Sequence, residues 1–63
     1  MQINGSLLRS ARLSKCLKQH ELAEGICTPA MISQIETGKA NPSDELINRL
    51  CGKLGIDVSD LQK

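Results

Sequence analysis

The stretch from Thr28 to Thr37 gathers one amide, two hydroxyls and one methyl on a single side. With Ile32 at zero on a helical wheel of about 100° per residue, Ile35, Glu36 and Thr28 fall within about 60° of it. Ala30, Ser33, Gln34 and Thr37 take the opposite arc, which holds no carboxylate and no large apolar group. This is chemistry suited to base edges. A Gln side chain bonds N6 and N7 of adenine in parallel, Ser and Thr serve either base, and an Ala methyl packs on the thymine methyl. An ordinary solvated helix face has the same composition, so the surrounding groups must decide.

Those surroundings suit phosphate. Residues 1–20 contain Arg9, Arg12, Lys15 and Lys18 and no acid, whereas residues 44–63 carry three bases and four acids. Gln19 opens a helical segment, and exposed N–H groups at a helix start attract anions. Lys39 and Asn41 lie in the loop after the Thr28–Thr37 stretch, where side chains and backbone N–H groups suit a second phosphate. Phosphate contacts fix register and base contacts read sequence; candidates for both surround one turn. The net charge of +1 is low for a nucleic-acid binder. It predicts a local patch and modest affinity for one domain, hence a homodimer.

Other chemistry finds little support. His20-Glu21-Leu22-Ala23-Glu24 begins like a zinc-protease helix, but His20 is the single histidine, and catalytic zinc needs three protein ligands. No metal and no cofactor are expected. Cys16, Cys27 and Cys51 are widely spaced and odd in number, which argues against a disulfide framework or a zinc site. They predict reduced thiols in a cytoplasmic protein, with Cys27 and Cys51 packed as small apolar groups. Cys16, beside Lys15 and Lys18, is either a redox switch or an incidental surface thiol. No apolar run approaches the roughly 20 residues that span a bilayer, and the N-terminus lacks the pattern of a secretory signal. A membrane partner is therefore not expected. A chain of 63 residues makes one domain, residues 1–63. It buries about 60% of the surface its unfolded chain exposes, which leaves little room for an enclosed substrate pocket and makes an enzyme unexpected.

The elements that place these groups read as helices. Aromatic residues are 0% and β-branched runs are few, so a sheet is not expected. A first helical segment starts near Asn4 or Gly5 and ends near Lys15; a second runs from about Gln19 to Glu24. Gly25 breaks the second, because glycine tolerates the positive φ of a sharp turn. Thr28 caps the third, with Pro29 at its first position, and Gly38 ends it. Ser43 caps a fourth, where Asp44 and Glu45 suit the positive dipole end and Gly55 stops the helix. Val58 and Leu61 predict a short closing helix or turn. The fold class is all-α, four to five short helices. The expected core is Leu8, Ala11, Leu17, Leu22, Ala23, Ile26, Ile32, Ile35, Ile47, Leu50, Cys51, Leu54, Ile56 and Leu61. Leu7, Leu13 and Leu46 fit it poorly.

Two short helices joined at a glycine turn have the organisation of a helix-turn-helix. The run Leu17-Lys18-Gln19-His20-Glu21-Leu22-Ala23, and then the run from Ile32 to Ser43 reading I-S-x-I-E-x-G-K-x-x-P-S, resembles the Cro and phage-repressor type of helix-turn-helix family, often called XRE. The resemblance extends from Gly5 to Leu61. The turn Ala23-Glu24-Gly25-Ile26-Cys27 is one residue shorter than usual and is similar to the DNA-binding heads of PlcR-like peptide-sensing regulators. There a helical-repeat sensor domain follows, so a sensor domain, or a peptide acting through it, is an implied partner.

The resemblance implies a lambda-repressor-like fold and a regulator that binds double-stranded DNA. It implies that Pro29, Ala30, Ser33 and Gln34 approach bases. Arg9, Lys18, Gln19, Thr28, Thr37, Lys39 and Asn41 are then the phosphate group. Arg12 and Glu36 match a structural ion pair. Three departures carry expectations: Lys18 stands where Ser or Thr usually caps the second helix, Cys16 replaces a frequent glycine and predicts a strained turn, and Asp44 replaces an apolar residue. The competing reading is a protein-interaction module, antitoxin-like or the docking head of a sensor protein, with DNA binding secondary.

Overall fold

The computed structural model describes residues 3–62. The chain forms α1 (Gly5–Ser14), α2 (Gln19–Ala23), α3 (Pro29–Glu36), α4 (Asp44–Leu54) and a closing 3-10 turn at Val58–Leu61. No strand occurs among the described residues. Side chains set three of the four helix starts. Asn4 accepts from the Ser6 N–H, Thr28 from the Met31 N–H and Ser43 from the Leu46 N–H, each satisfying a donor the helix leaves open. Lys18 supplies no such acceptor. At α2 only the reciprocal bond forms, with the Lys18 N–H donating to Glu21 at 2.8 Å.

The turn after α1 is the strained one. Cys16 sits at φ +58, with its N–H donating to Leu13 and the Leu17 N–H to Arg12. This paired closure is what glycine usually supplies at a helix end. Gly38 closes α3 in the same way at φ +80, with the Lys39 N–H donating to Gln34 at 2.8 Å.

Leu8, Leu22, Ala23, Ile32, Ile35, Ile47, Leu50, Cys51, Leu54 and Leu61 form the buried core. Ala11, Leu17, Ile26 and Ile56, also expected inside, are half-buried and pack on its rim. Leu7 and Leu46 share that rim, and Leu13 is 52% exposed. α3 packs against both α1 and α2. Gly5 makes the first of these contacts possible: a side chain there would run into the carbonyl oxygens of Ile35 and Glu36. α3 is thus gripped at its C-terminal end by the first turn of α1.

Candidate nucleic-acid interface

α2 and α3 are joined by a type II turn. Glu24 has φ −54 and ψ 126, Gly25 has φ +78, and the Ile26 N–H donates to the Ala23 carbonyl at 2.8 Å. Position i+2 of such a turn requires positive φ, hence glycine. The turn swings the chain so that Ile32 and Ile35 on α3 are buried while the opposite side faces out.

That outer side holds most of the residues placed there by the wheel. Thr28, Pro29, Ala30, Gln34 and Thr37 are exposed. Ser33 is half-buried. At about 100° from Ile32 it stands at the boundary between faces and contributes less outward surface than expected. Glu36, the single carboxylate of α3, is turned inward with its side chain 3% exposed. The outward face of the helix therefore carries no negative charge.

The buried Glu36 is fully engaged. Arg12 Nε donates to one carboxylate oxygen at 2.6 Å and Nη2 to the other at 3.2 Å. This two-pronged geometry suits a guanidinium, whose donors are fixed in a plane. Arg12 Nη1 donates to the Leu17 carbonyl at 2.8 Å. Gln19 Nε2 donates to Glu36 at 3.1 Å. One carboxylate thus links α1, the start of α2 and the end of α3. A buried ion pair is tolerable only when such hydrogen bonds accompany it, and no buried side-chain nitrogen or oxygen lacks a partner among the described residues.

The expected phosphate group divides. Arg9, Lys18, Lys39 and Asn41 are exposed, and Lys39 and Asn41 rim a groove with Ile3, Ile35 and Pro42. Thr28 accepts as a cap through Oγ1, which leaves its hydroxyl proton able to donate. Three donors are committed elsewhere. The Lys39 backbone N–H serves Gln34, so its side chain alone is left to meet an anion. The Thr37 hydroxyl donates to the carbonyls of Ser33 and Gln34 at 2.9 and 3.3 Å, because a threonine one turn on lies within reach of those acceptors. Gln19 is half-buried with one amide donor held by Glu36.

One contact has no counterpart in the sequence reading. Lys53 of α4 donates to the Glu21 and Glu24 carbonyls at 2.7 and 2.9 Å. These oxygens stand at the end of α2 and in the turn, 32 and 29 residues away in sequence; no local pattern announces a pairing at that distance. Burial pushes the nearby Cys27 thiol up, and the Lys53 ammonium pulls it the other way. Among the described residues no cluster of His, Cys, Asp and Glu is fit to hold a metal ion, and no helix is long and apolar enough to cross a membrane.

The Helix-turn-helix family model matches residues 8–61. No curated protein matches the chain. Among solved structures, PlcR of Bacillus thuringiensis, in complex with the peptide PapR7 and DNA, superposes with a TM-score of 0.84 at 33% identity. The match covers 87% of this chain and 20% of that one. Two structures of the clp gene regulator ClgR from Corynebacterium glutamicum superpose with the same score at 38% identity, over 89% of this chain and 61% and 73% of theirs. The chain thus spans a fifth of the PlcR chain and under two thirds of the first ClgR chain. From the matched model, the buried Arg12–Glu36 link and the type II turn between α2 and α3, the chain belongs to the helix-turn-helix DNA-binding family of the Cro and phage-repressor (XRE) type.

Proposed function

We propose that the protein regulates transcription by sequence-specific binding of double-stranded DNA, as a homodimer on a near-palindromic operator. One observation carries this reading: the exposed face of α3 is free of carboxylates because Glu36 is buried against Arg12. α3 enters the major groove, where Gln34 and the Ala30 methyl meet base edges. Ser33 contributes from the side of the face, and Pro29 packs near the helix start. Arg9, Lys18, Gln19, Thr28, Thr37, Lys39 and Asn41 hold the flanking phosphates, Thr37 after its hydroxyl leaves the backbone.

The low charge of one domain supports a dimer. A net charge of +1 gives one domain a weak overall attraction to the DNA backbone, and two copies would read half-sites about one helical turn apart. Control by a peptide through a sensor domain is supported by the likeness to PlcR, whose structure holds a peptide and DNA. Selection of duplexes from a random pool tests the reading. It should enrich one near-palindromic sequence, bound by two copies and released steeply as salt rises. Enrichment of no sequence, with salt-insensitive retention, would leave the fold as a protein-docking module.

A further inference from the structure

We propose that Lys53 is a positioning residue for the recognition helix, acting by locking the turn between α2 and α3. The turn's central peptide lies between Glu24 and Gly25. Type I and type II turns differ mainly by a flip of that peptide, seen in ψ of the first central residue and φ of the second. Glu24 at ψ 126 and Gly25 at φ +78 adopt the type II setting. The oxygen that moves in the flip is the Glu24 carbonyl, and Lys53 Nζ holds it at 2.9 Å.

The same ammonium holds the Glu21 carbonyl at 2.7 Å, an acceptor in the last turn of α2. An ammonium presents three donors and here spans the helix end and the turn together. α2 has five residues, too few to be stable alone, so its end depends on such outside partners. Arg12 fixes the far end of α3 through Glu36; Lys53 fixes the chain entering it. The inference rests on the DNA-binding reading, since positioning matters only if α3 reads a sequence.

The test compares Lys53→Met, Lys53→Arg and Arg49→Met as full chains. Arg49 lies on α4, with its ion pair to Glu45 exposed, and controls for loss of one positive charge. The probes are the duplex selected by the unaltered protein and a scrambled duplex of equal length, titrated well below the unfolding temperature. Lys53→Met should lower the preference for the selected duplex by roughly 3–20-fold, with Lys53→Arg and Arg49→Met within about threefold of the unaltered protein, the range expected when a coupling residue is lost or kept. Preference unchanged in Lys53→Met, or lost alike in all three variants, overturns the inference alone. Failure of the unaltered protein to prefer any duplex overturns the DNA-binding reading, and the inference with it. Nitrogen NMR of the unaltered protein decides the matter even if Lys53→Met fails to fold. Couplings from Lys53 Nζ to the Glu21 and Glu24 carbonyl carbons support the lock, and a freely rotating ammonium overturns it.

Discussion

Arg12 Nε lies 2.6 Å from a carboxylate oxygen of Glu36, a residue 24 positions along the chain. The two side chains are 8% and 3% exposed, and Gln19 and the Leu17 carbonyl complete the network. Removing one partner strands the other charge in a dry site. Arg12→Met or Glu36→Leu should each cost roughly 3–5 kcal/mol, whereas the double replacement should cost markedly less than the sum. Stability for this length is on the order of 3–9 kcal/mol, so the single variants should be largely unfolded in mild urea. Chemical denaturation of the cycle reads this out; additive losses would mean that the pair is not coupled.

Cys16→Gly should stabilise the fold. An L-residue at φ +58 bears a left-handed penalty of about 1–2 kcal/mol, part of which the greater freedom of glycine in the unfolded chain offsets. The expected gain is about 0.5–1 kcal/mol in urea unfolding. A loss would show that the thiol makes a contact worth more than the strain.

Gly5→Ala should do the reverse. A methyl there would lie 2.7 Å from the Glu36 carbonyl oxygen and closer still to that of Ile35. Both are backbone atoms of α3, so the helices must part, at a cost of about 1–3 kcal/mol. Thermal unfolding checks this, and an unchanged midpoint would mean that α1 and α3 separate freely.

Much of the fold was legible because its punctuation is chemical. Thr28-Pro29, Ser43-Asp44 and the three glycines at 25, 38 and 55 each force a local geometry whatever the rest does, and the helices begin and end there. The core followed from helical spacing, save at its rim: the wheel cannot tell a half-covered Ala11 from a buried neighbour, and Ile56 lies between helices, where spacing gives no face. Of the candidate site, the outward face of α3 and the Arg12–Glu36 pair were legible. What stayed hidden were contacts between distant residues: Lys53 on the turn carbonyls and Gly5 against the end of α3. Thr37 reads as an outward donor until its own helix supplies acceptors for the hydroxyl.

Alkaline pH should weaken the protein through Cys51. Burial raises its thiol above the ordinary value of 9.0, and the carboxylates of Asp60 and Asp57 push the same way. Burial raises Cys27 as well. In that window the unfolded chain loses the proton first, so folding takes up a proton. The stability is complete below the unfolded thiol value and falls as pH climbs toward the folded one. Cys51→Ala should cost about 1 kcal/mol at neutral pH yet show a shallower alkaline decline in urea midpoints. Parallel declines in the two proteins would place the titration elsewhere.

The assignment of α3 as the element that reads sequence meets its most direct test in two exposed residues, Gln34 and Lys39. Both alanine variants are titrated against the selected duplex and a panel of single base-pair changes. Gln34→Ala should erase a preference of about 1–3 kcal/mol at one base pair and leave the others standing. Lys39→Ala should weaken every duplex alike and lower the salt slope by about one. Uniform losses across the whole panel for both variants would contradict base reading by α3.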